Sequence, residues 1–151
     1  MPTIRLALTS DIDALVELRS AFLDEITSRD VSTLALRTSM HAYFREALHT
    51  GSFAAYLAFE GTTAIASSGM VLRTLPPSHS CPRGREAYIL NMYTVPEHRG
   101  KGIGNDLLQR CIAFAREHGC DRISLHGVSG ARSMYERIGF APVESEMRLA
   151  L

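Results

Sequence analysis

Tryptophan is absent from the 151-residue chain, and aromatics of all kinds make up only 7%. Few rings are therefore available as stacking platforms for a single nucleic-acid strand. There is no surplus of charge: 16 Lys and Arg stand against 16 Asp and Glu, a net charge of zero. A dedicated nucleic-acid binder uses a basic surplus to displace counterions, so no nucleic-acid partner is expected. No apolar run approaches the roughly 20 residues a membrane span needs, so no membrane partner is expected either. The first residues, Met1-Pro2-Thr3-Ile4-Arg5, show no basic segment leading into an apolar stretch, which argues against a secretory signal. Cys81, Cys111 and Cys120 are an odd number without framework spacing. They read as reduced thiols of a cytoplasmic protein. His79 with Cys81, and His118 with Cys120, are isolated pairs with no second pair at zinc spacing, so no metal site is expected.

What is present describes an ordinary globular domain. Hydrophobic residues are 46% and charged residues 21%, and a chain of this length buries roughly 70% of its unfolded surface without staples. Residues 1–151 are expected to form a single domain. Ile4, Leu6 and Leu8 alternate, predicting a strand over Thr3–Leu8. Ser10 with Asp13 resembles a capping box, and Ile12, Leu15, Val16, Phe22, Leu23 and Ile26 then recur at helical spacing. A second helix is expected from about Thr33 to Thr50, closed by Gly51. Strands follow over Phe53–Glu60 and Ala64–Leu75, joined at Gly61-Thr62-Thr63. The breaker-rich stretch Leu75–Glu86 reads as a surface loop. Ala87–Val95 is nearly continuous in β-formers, as a strand buried on both faces would be, with Glu86 and Glu97 as its solvated ends. A helix from Ile103 to Gly119, a strand over Arg122–His126 and a short helix over Ala131–Ile138 come next. The alternating tail Glu144–Leu151 suggests a closing strand. The order β-α-α-β-β-β-α-β-α-β argues for an α/β fold, one mixed sheet with helices on both faces.

The chemistry lies between the long apolar strand and the helix after it, in Arg99-Gly100-Lys101-Gly102-Ile103-Gly104. Alternating glycines let the backbone turn tightly with its N–H groups inward, and the helix N-terminus adds a partial positive charge. Arg99 and Lys101 add full charges. Several convergent donors over consecutive residues suit a pyrophosphate better than one carboxylate. The segment is not a P-loop, because Lys101 is followed by Gly102 rather than Ser or Thr. Nor is it a dinucleotide fingerprint G-x-G-x-x-G, because no third glycine follows at the required spacing.

The segment fits the pattern Q/R-x-x-G-x-G/A. With the strand ending Asn91-Met92-Tyr93-Thr94-Val95-Pro96-Glu97 and the late Tyr135-Glu136-Arg137-Ile138-Gly139-Phe140, the chain resembles the GCN5-related N-acetyltransferase (GNAT) superfamily over essentially its whole length. The resemblance implies a centrally splayed sheet in which acetyl-CoA, the cosubstrate, lies where two parallel strands part. It places Met92, Tyr93 and Thr94 beside the pantetheine arm, as if the arm were an extra strand. The amides of Gly100, Lys101, Gly102, Ile103, Gly104 and Asn105 would hold the pyrophosphate, with Arg99 opening the turn and Lys101 near the outer phosphates. Many members carry an asparagine seven residues before the tyrosine; here that position is Val128, and Ser129, Gly130 and Arg132 stand nearby as substitutes.

The implied reaction is direct attack of an amine on the thioester. It needs a proton acceptor, oxyanion stabilisation and a proton for the leaving thiolate. Tyr135 matches the family's thiolate donor, and a phenol with a reference pKa near 10 keeps its proton at neutral pH. By spacing alone Tyr135 also packs with Ala131, Met134 and Ile138. His126, at a strand C-terminus, has a reference pKa suited to a base. Asn91 is a polar residue inside an apolar strand, which positioning of substrate or water would explain. Many members use ordered water instead of a single base. Asp24 and Glu25 could attract a cationic amine, though surface carboxylates are common at a helix end. The reading is an N-acetyltransferase acting on an amine of a small molecule, amino acid or peptide. The alternative is a non-catalytic acyl-CoA-binding sensor, and a homodimer stays open. Acceptor choice is implied to come from the first two helices and the loop at Pro76–Arg85, neither of which carries a recognisable signature.

Overall fold

A computed structural model describes residues 1–127, 130–143 and 146–151. The elements are β1 (Thr3–Leu6), α1 (Ile12–Thr27), α2 (Leu34–Thr50), β2 (Phe53–Glu60), β3 (Thr63–Thr74), β4 (Arg85–Thr94), α3 (Ile103–Glu117), β5 (Arg122–Leu125) and α4 (Arg132–Ile138). The strands form one sheet in the order β1-β2-β3-β4-β5. Every neighbouring pair is antiparallel except β4 with β5.

The helices cover both faces, as the element order implies. On one face Leu15, Val16 and Leu18 of α1, with Met40, Phe44 and Ala47 of α2, pack on Phe53, Ala55, Leu57 and Tyr93. On the other, Leu108, Cys111 and Ile112 of α3, with Tyr135 of α4, close over Met70 and Ile89. Each fully buried leucine contributes about 1.5–3 kcal/mol, so the sheet is held mainly by side chains from these two helical layers. Burial pushes the Cys111 thiol up to about 12, with a smaller opposing effect from its Ser68 contact, leaving it an inert core residue.

Four local expectations are corrected. β1 stops at Leu6, and Ser10 with Asp13 forms no capping box. Instead the Asp11 carboxylate accepts from the Leu8 amide at 2.7 Å and from the Arg5 guanidinium at 2.7 Å, turning the chain before α1 starts. Glu86 is not a solvated strand end but 2% exposed. It lies in register with Arg73 on β3 and Arg122 on β5 and accepts from Arg73, from Arg122 at 2.5 Å and from Ser124 at 2.9 Å. Burial works to raise its pKa, but those three donors outweigh it and hold the carboxyl below its ordinary value. The expected closing strand is missing from the described part of the tail: residues 146–151 belong to no strand, and Met147, Leu149 and Leu151 are exposed. Alternation marks a strand only where a sheet edge receives it. The observed order therefore ends β-α. Among the described residues no helix is long and apolar enough to cross a membrane.

Candidate active site

The middle of β4 departs from a regular strand at Asn91. Leu90 is opposite Gly69 and Tyr93 is opposite Ser67, so Asn91 and Met92 together face Ser68 alone. This is a β-bulge, with Asn91 as a left-handed residue at φ 56°. Asparagine tolerates that region better than most residues. The extra residue also shifts the side-chain phase. Leu90 and Tyr93 both pack toward α1 and α2, while Ile89 and Met92 pack toward α3 and α4. The bulge is pinned by Ser67, whose hydroxyl donates to the Asn91 carbonyl at 2.7 Å.

The Asn91 side chain is 1% exposed. Its Oδ1 accepts from Arg19 Nη1 of α1 at 2.5 Å, while its Nδ2 has no hydrogen-bond partner among the described residues. Flipping the amide would set Nδ2 against the guanidinium, donor to donor, so the orientation follows from chemistry. At the same point the sheet opens. β5 accompanies β4 only from Glu86 to Ile89, so from Leu90 to Thr94 no strand among the described residues lies on that side. Met92, Tyr93 and Thr94 fall in this unaccompanied stretch, where an extended amide chain can pair with backbone groups. Tyr93 is buried edge-on against Phe22, ring centroids 6.3 Å apart.

Beyond β4 the chain runs through a single 3₁₀ turn, Pro96–His98, into the glycine segment. Gly100 and Gly102 take φ 74° and 82°, which only glycine adopts freely. A Cβ built on either would meet no protein atom within 4 Å. Glycine is thus required there by conformation and not by protein packing, and the space over both residues is open to a ligand. α3 begins at Ile103, whose side chain is buried beside Ala58, Ile65 and Ala66 and anchors the turn. The amides of Ile103, Gly104 and Asn105 precede the first bond of the helix, from the Asp106 amide to the Gly102 carbonyl at 3.1 Å, and have no acceptor within it. These donors, and the exposed Lys101 beside them, match the needs of a pyrophosphate.

Arg99 is already engaged. Its guanidinium donates to both Glu25 carboxylate oxygens at 2.8 and 2.9 Å, its Nε donates to the Thr94 carbonyl at 2.8 Å, and it lies 5.4 Å from the Tyr93 ring centroid. Neither acidic residue at the end of α1 is free: Asp24 accepts from the Val31 and Ser32 amides at 2.8 and 3.1 Å.

α4 lies against the start of α3, where a Cβ on Gly104 would stand 4.0 Å from Met134 Sδ. A cavity of about 270 Å³ between β5 and α4 brings Tyr135, His126 and Arg132 together. Tyr135 is 5% exposed, and burial raises its phenol above the ordinary value. Arg132 pairs with Glu136 at 2.7 Å. His126 contacts the Tyr88 hydroxyl through Nδ1 and Glu146 through Nε2 at 2.6 Å. Val128 and Ser129 lie outside the described residues.

A second cavity, about 260 Å³, opens between α1, α2 and β4, lined by Arg19, Leu23, Leu36, Met40, Phe44 and Leu90 among others. Arg19 was not among the residues singled out from the sequence. Its signal is nonetheless there: it stands four residues after Leu15, three after Val16 and three before Phe22, a lone cation in the apolar stripe of a helix.

The splayed β4–β5 pair, the bulge and the glycine turn ahead of a helix define an acyl-CoA N-acyltransferase fold. Residues 14–140 match the Acetyltransferase (GNAT) family model, and the chain belongs to that family. A predicted acetyltransferase of Clostridium acetobutylicum, solved with acetyl-CoA, superposes with a TM-score of 0.92 at 28% identity, covering 99% of this chain and 96% of the other. A GCN5-related N-acetyltransferase of Ralstonia eutropha JMP134 gives 0.90 at 26% identity, covering 99% of each chain. The mycothiol acetyltransferase of Propionibacterium freudenreichii subsp. shermanii is 41% identical over 73 residues, 46% of this chain and 22% of that protein. The chain matches less than half the length of each of four curated relatives, between 22% and 44%.

Proposed function

We propose that the protein is an acetyl-CoA-dependent N-acetyltransferase that acetylates a primary amine. The observation that carries the reading is the pair of left-handed glycines, Gly100 and Gly102, open to a ligand directly ahead of α3 and directly after an unaccompanied strand edge. Acetyl-CoA supplies an activated acetyl thioester when bound. The backbone of Met92, Tyr93 and Thr94 is assigned to its amide-bearing arm, with the Thr94 carbonyl already taken by Arg99. The amides of Gly100 to Asn105 and the ammonium of Lys101 are assigned to its phosphates. Arg99, clamped between Glu25 and Thr94, acts as the residue that fixes the turn.

Tyr135 is assigned as proton donor to the departing sulfur. Its burial, which raises the phenol's pKa, keeps the proton available across the physiological range. Arg132 and Ser129 are assigned to the same side of the cosubstrate. His126, sharing the cavity with Tyr135, is assigned to proton transfer, and Asn91 to the position of the reacting groups at the bulge.

Thermal melts with acetyl-CoA, coenzyme A, ATP and NAD test the cosubstrate. A ligand at 100 times its dissociation constant stabilises by about 2.7 kcal/mol, several degrees in a domain of this size. Coenzyme A and acetyl-CoA should give that shift and ATP and NAD much less; equal shifts would mean that only phosphate is read. Thiol release over mixed amine pools then separates an enzyme from a sensor, because a sensor binds and does not turn over.

A further inference from the structure

We infer that the acceptor is a compact amino carboxylate, an α-amino acid with an apolar side chain, and that Arg19 with Asn91 holds its carboxylate. The inference rests on the acetyltransferase reading above and concerns the other half of the reaction.

The first observation is a cation without a counter-charge. Arg19 is drawn partly into the protein on α1, and among the described residues no carboxylate lies within ion-pair distance of it; its hydrogen bond is to the neutral Oδ1 of Asn91 at 2.5 Å. Elsewhere the fold pairs such groups, as Arg73 and Arg122 are paired with buried Glu86. A half-buried guanidinium facing only an amide oxygen is costly until an anion joins it. Burial accordingly lowers the Arg19 pKa, with the nearby Tyr43 acting in the other direction.

The second observation is independent of charge. Asn91 Nδ2 is buried and donates to nothing among the described residues, although buried amide donors are nearly always satisfied. One side chain thus holds the guanidinium through its oxygen while its own N–H lacks an acceptor. A carboxylate has two oxygens and accepts from both kinds of donor. A phosphate meets the same electrostatic need, but the space beside Arg19 is lined mainly by Leu23, Leu36, Met40, Phe44 and Leu90, with Ser39 and Tyr43 as its other polar side chains. That lining favours a ligand with one small anionic group and an apolar body.

Position sets the distance between carboxylate and amine. Asn91 is the bulge residue itself, where β5 has just left β4 and the strand edge assigned to the acyl-bearing arm begins. A carboxylate held there leaves only a few bonds before the amine must meet the acetyl group, which suits an α-amine and not a distant peptide terminus. Transfer forms an N–C bond, breaks the C–S bond of acetyl-CoA and moves one amine proton, in net, to the sulfur of coenzyme A. The carboxylate is unchanged throughout and serves only in recognition.

The test compares L-phenylalanine and L-methionine with their amides and with phenethylamine, by thiol release. In parallel, melts in the presence of coenzyme A compare N-acetyl-L-phenylalanine with its amide. The free carboxylates should be preferred by about 10²-fold in kcat/KM, the scale of losing one hydrogen bond to a charged partner. The N-acetyl acid alone should raise Tm. In Arg19→Met the preference should shrink to within about threefold, and Arg19→Lys should restore part of it. The wild-type series needs no variant to fold. Equal use of amide and acid, a preference for peptide amines, or a preference that survives Arg19→Met would overturn the inference. Acetyl-CoA binding with transfer only to amines lacking a carboxylate would overturn it while leaving the acetyltransferase reading intact; failure to bind acetyl-CoA would overturn that reading instead.

Discussion

The glycine turn and the α1–α2–β4 cavity are built in opposite ways. The turn consists of consecutive residues whose useful groups are backbone amides, so its chemistry is set by conformation at Gly100 and Gly102. The cavity depends on side chains far apart in the chain: Arg19, which lines it, is held by Asn91, 72 residues away, and the two meet only because a bulge turns Asn91 toward α1. The first kind of site can be read from local sequence. The second exists only once the sheet and its helices have packed. This suits a family that keeps one cosubstrate and varies its acceptor. Damage to the turn or to α4 should therefore abolish all transfer, whereas damage to the cavity should change which amine is used.

The largest expected effect comes from Tyr135→Phe. The ring and its contacts with Ile89, Leu108 and Phe140 are kept, so stability should change little. If the phenol protonates the leaving sulfur, kcat should fall by about 10²–10⁴-fold at unchanged coenzyme A affinity. Since burial raises this phenol's pKa, its donor form persists to higher pH than in a free tyrosine. Wild-type activity should thus show no alkaline loss from this group below about pH 10. Near-wild-type turnover of the variant would remove Tyr135 from the reaction and leave the turn standing.

Gly102→Val comes next. Valine at φ 82° costs on the order of 1–3 kcal/mol, and its branched side chain would occupy the space now open over the turn. Coenzyme A affinity should drop by roughly 100-fold or more by calorimetry, while a urea melt shows a cooperative fold of reduced stability. A folded variant with normal affinity would show that the phosphates lie elsewhere.

The same contrast governs what the sequence revealed. The order of elements, the two helical layers and the turn follow from periodicity and glycine placement, both local. The tail read as a strand because Met147, Leu149 and Leu151 alternate, but alternation carries no information about whether a partner edge exists. Glu86 read as a solvated end because one strand's sequence does not show that arginines from two neighbours share its register. Asn91 was legible as an anomaly, a polar residue in an apolar strand, though its bulge was not. Arg19 was legible too, as a cation in the stripe of Leu15, Val16 and Phe22. Its meaning depended on a contact that no local pattern contains.

Lys101→Met probes the charge of the turn without touching its backbone. The ammonium is exposed and forms no ion pair among the described residues, so the fold should be unaffected. Loss of one charge-assisted contact to phosphate should weaken coenzyme A by about tenfold at low salt. The difference should narrow as ionic strength rises and screening takes over. An unchanged affinity at low salt would mean that the backbone amides suffice.

The smallest effect is expected at the point where the two regions touch. Glu25 belongs to α1, the helix that carries Arg19, and its carboxylate grips Arg99 at the start of the turn. Both partners are about half exposed, so Glu25→Gln should cost no more than about 1 kcal/mol in a urea melt. Arg99 would keep its bond to the Thr94 carbonyl and its position over Tyr93, which hold the turn without the carboxylate. Coenzyme A affinity should therefore stay within about twofold. A clear gain in affinity would mean that Arg99, once released, reaches the phosphates, and so binds ligand instead of bracing the turn. A clear loss would mean that the turn depends on α1 for its shape. The two regions would then not be separable, and acceptor-side variants such as Arg19→Met would need coenzyme A affinity measured beside every specificity ratio.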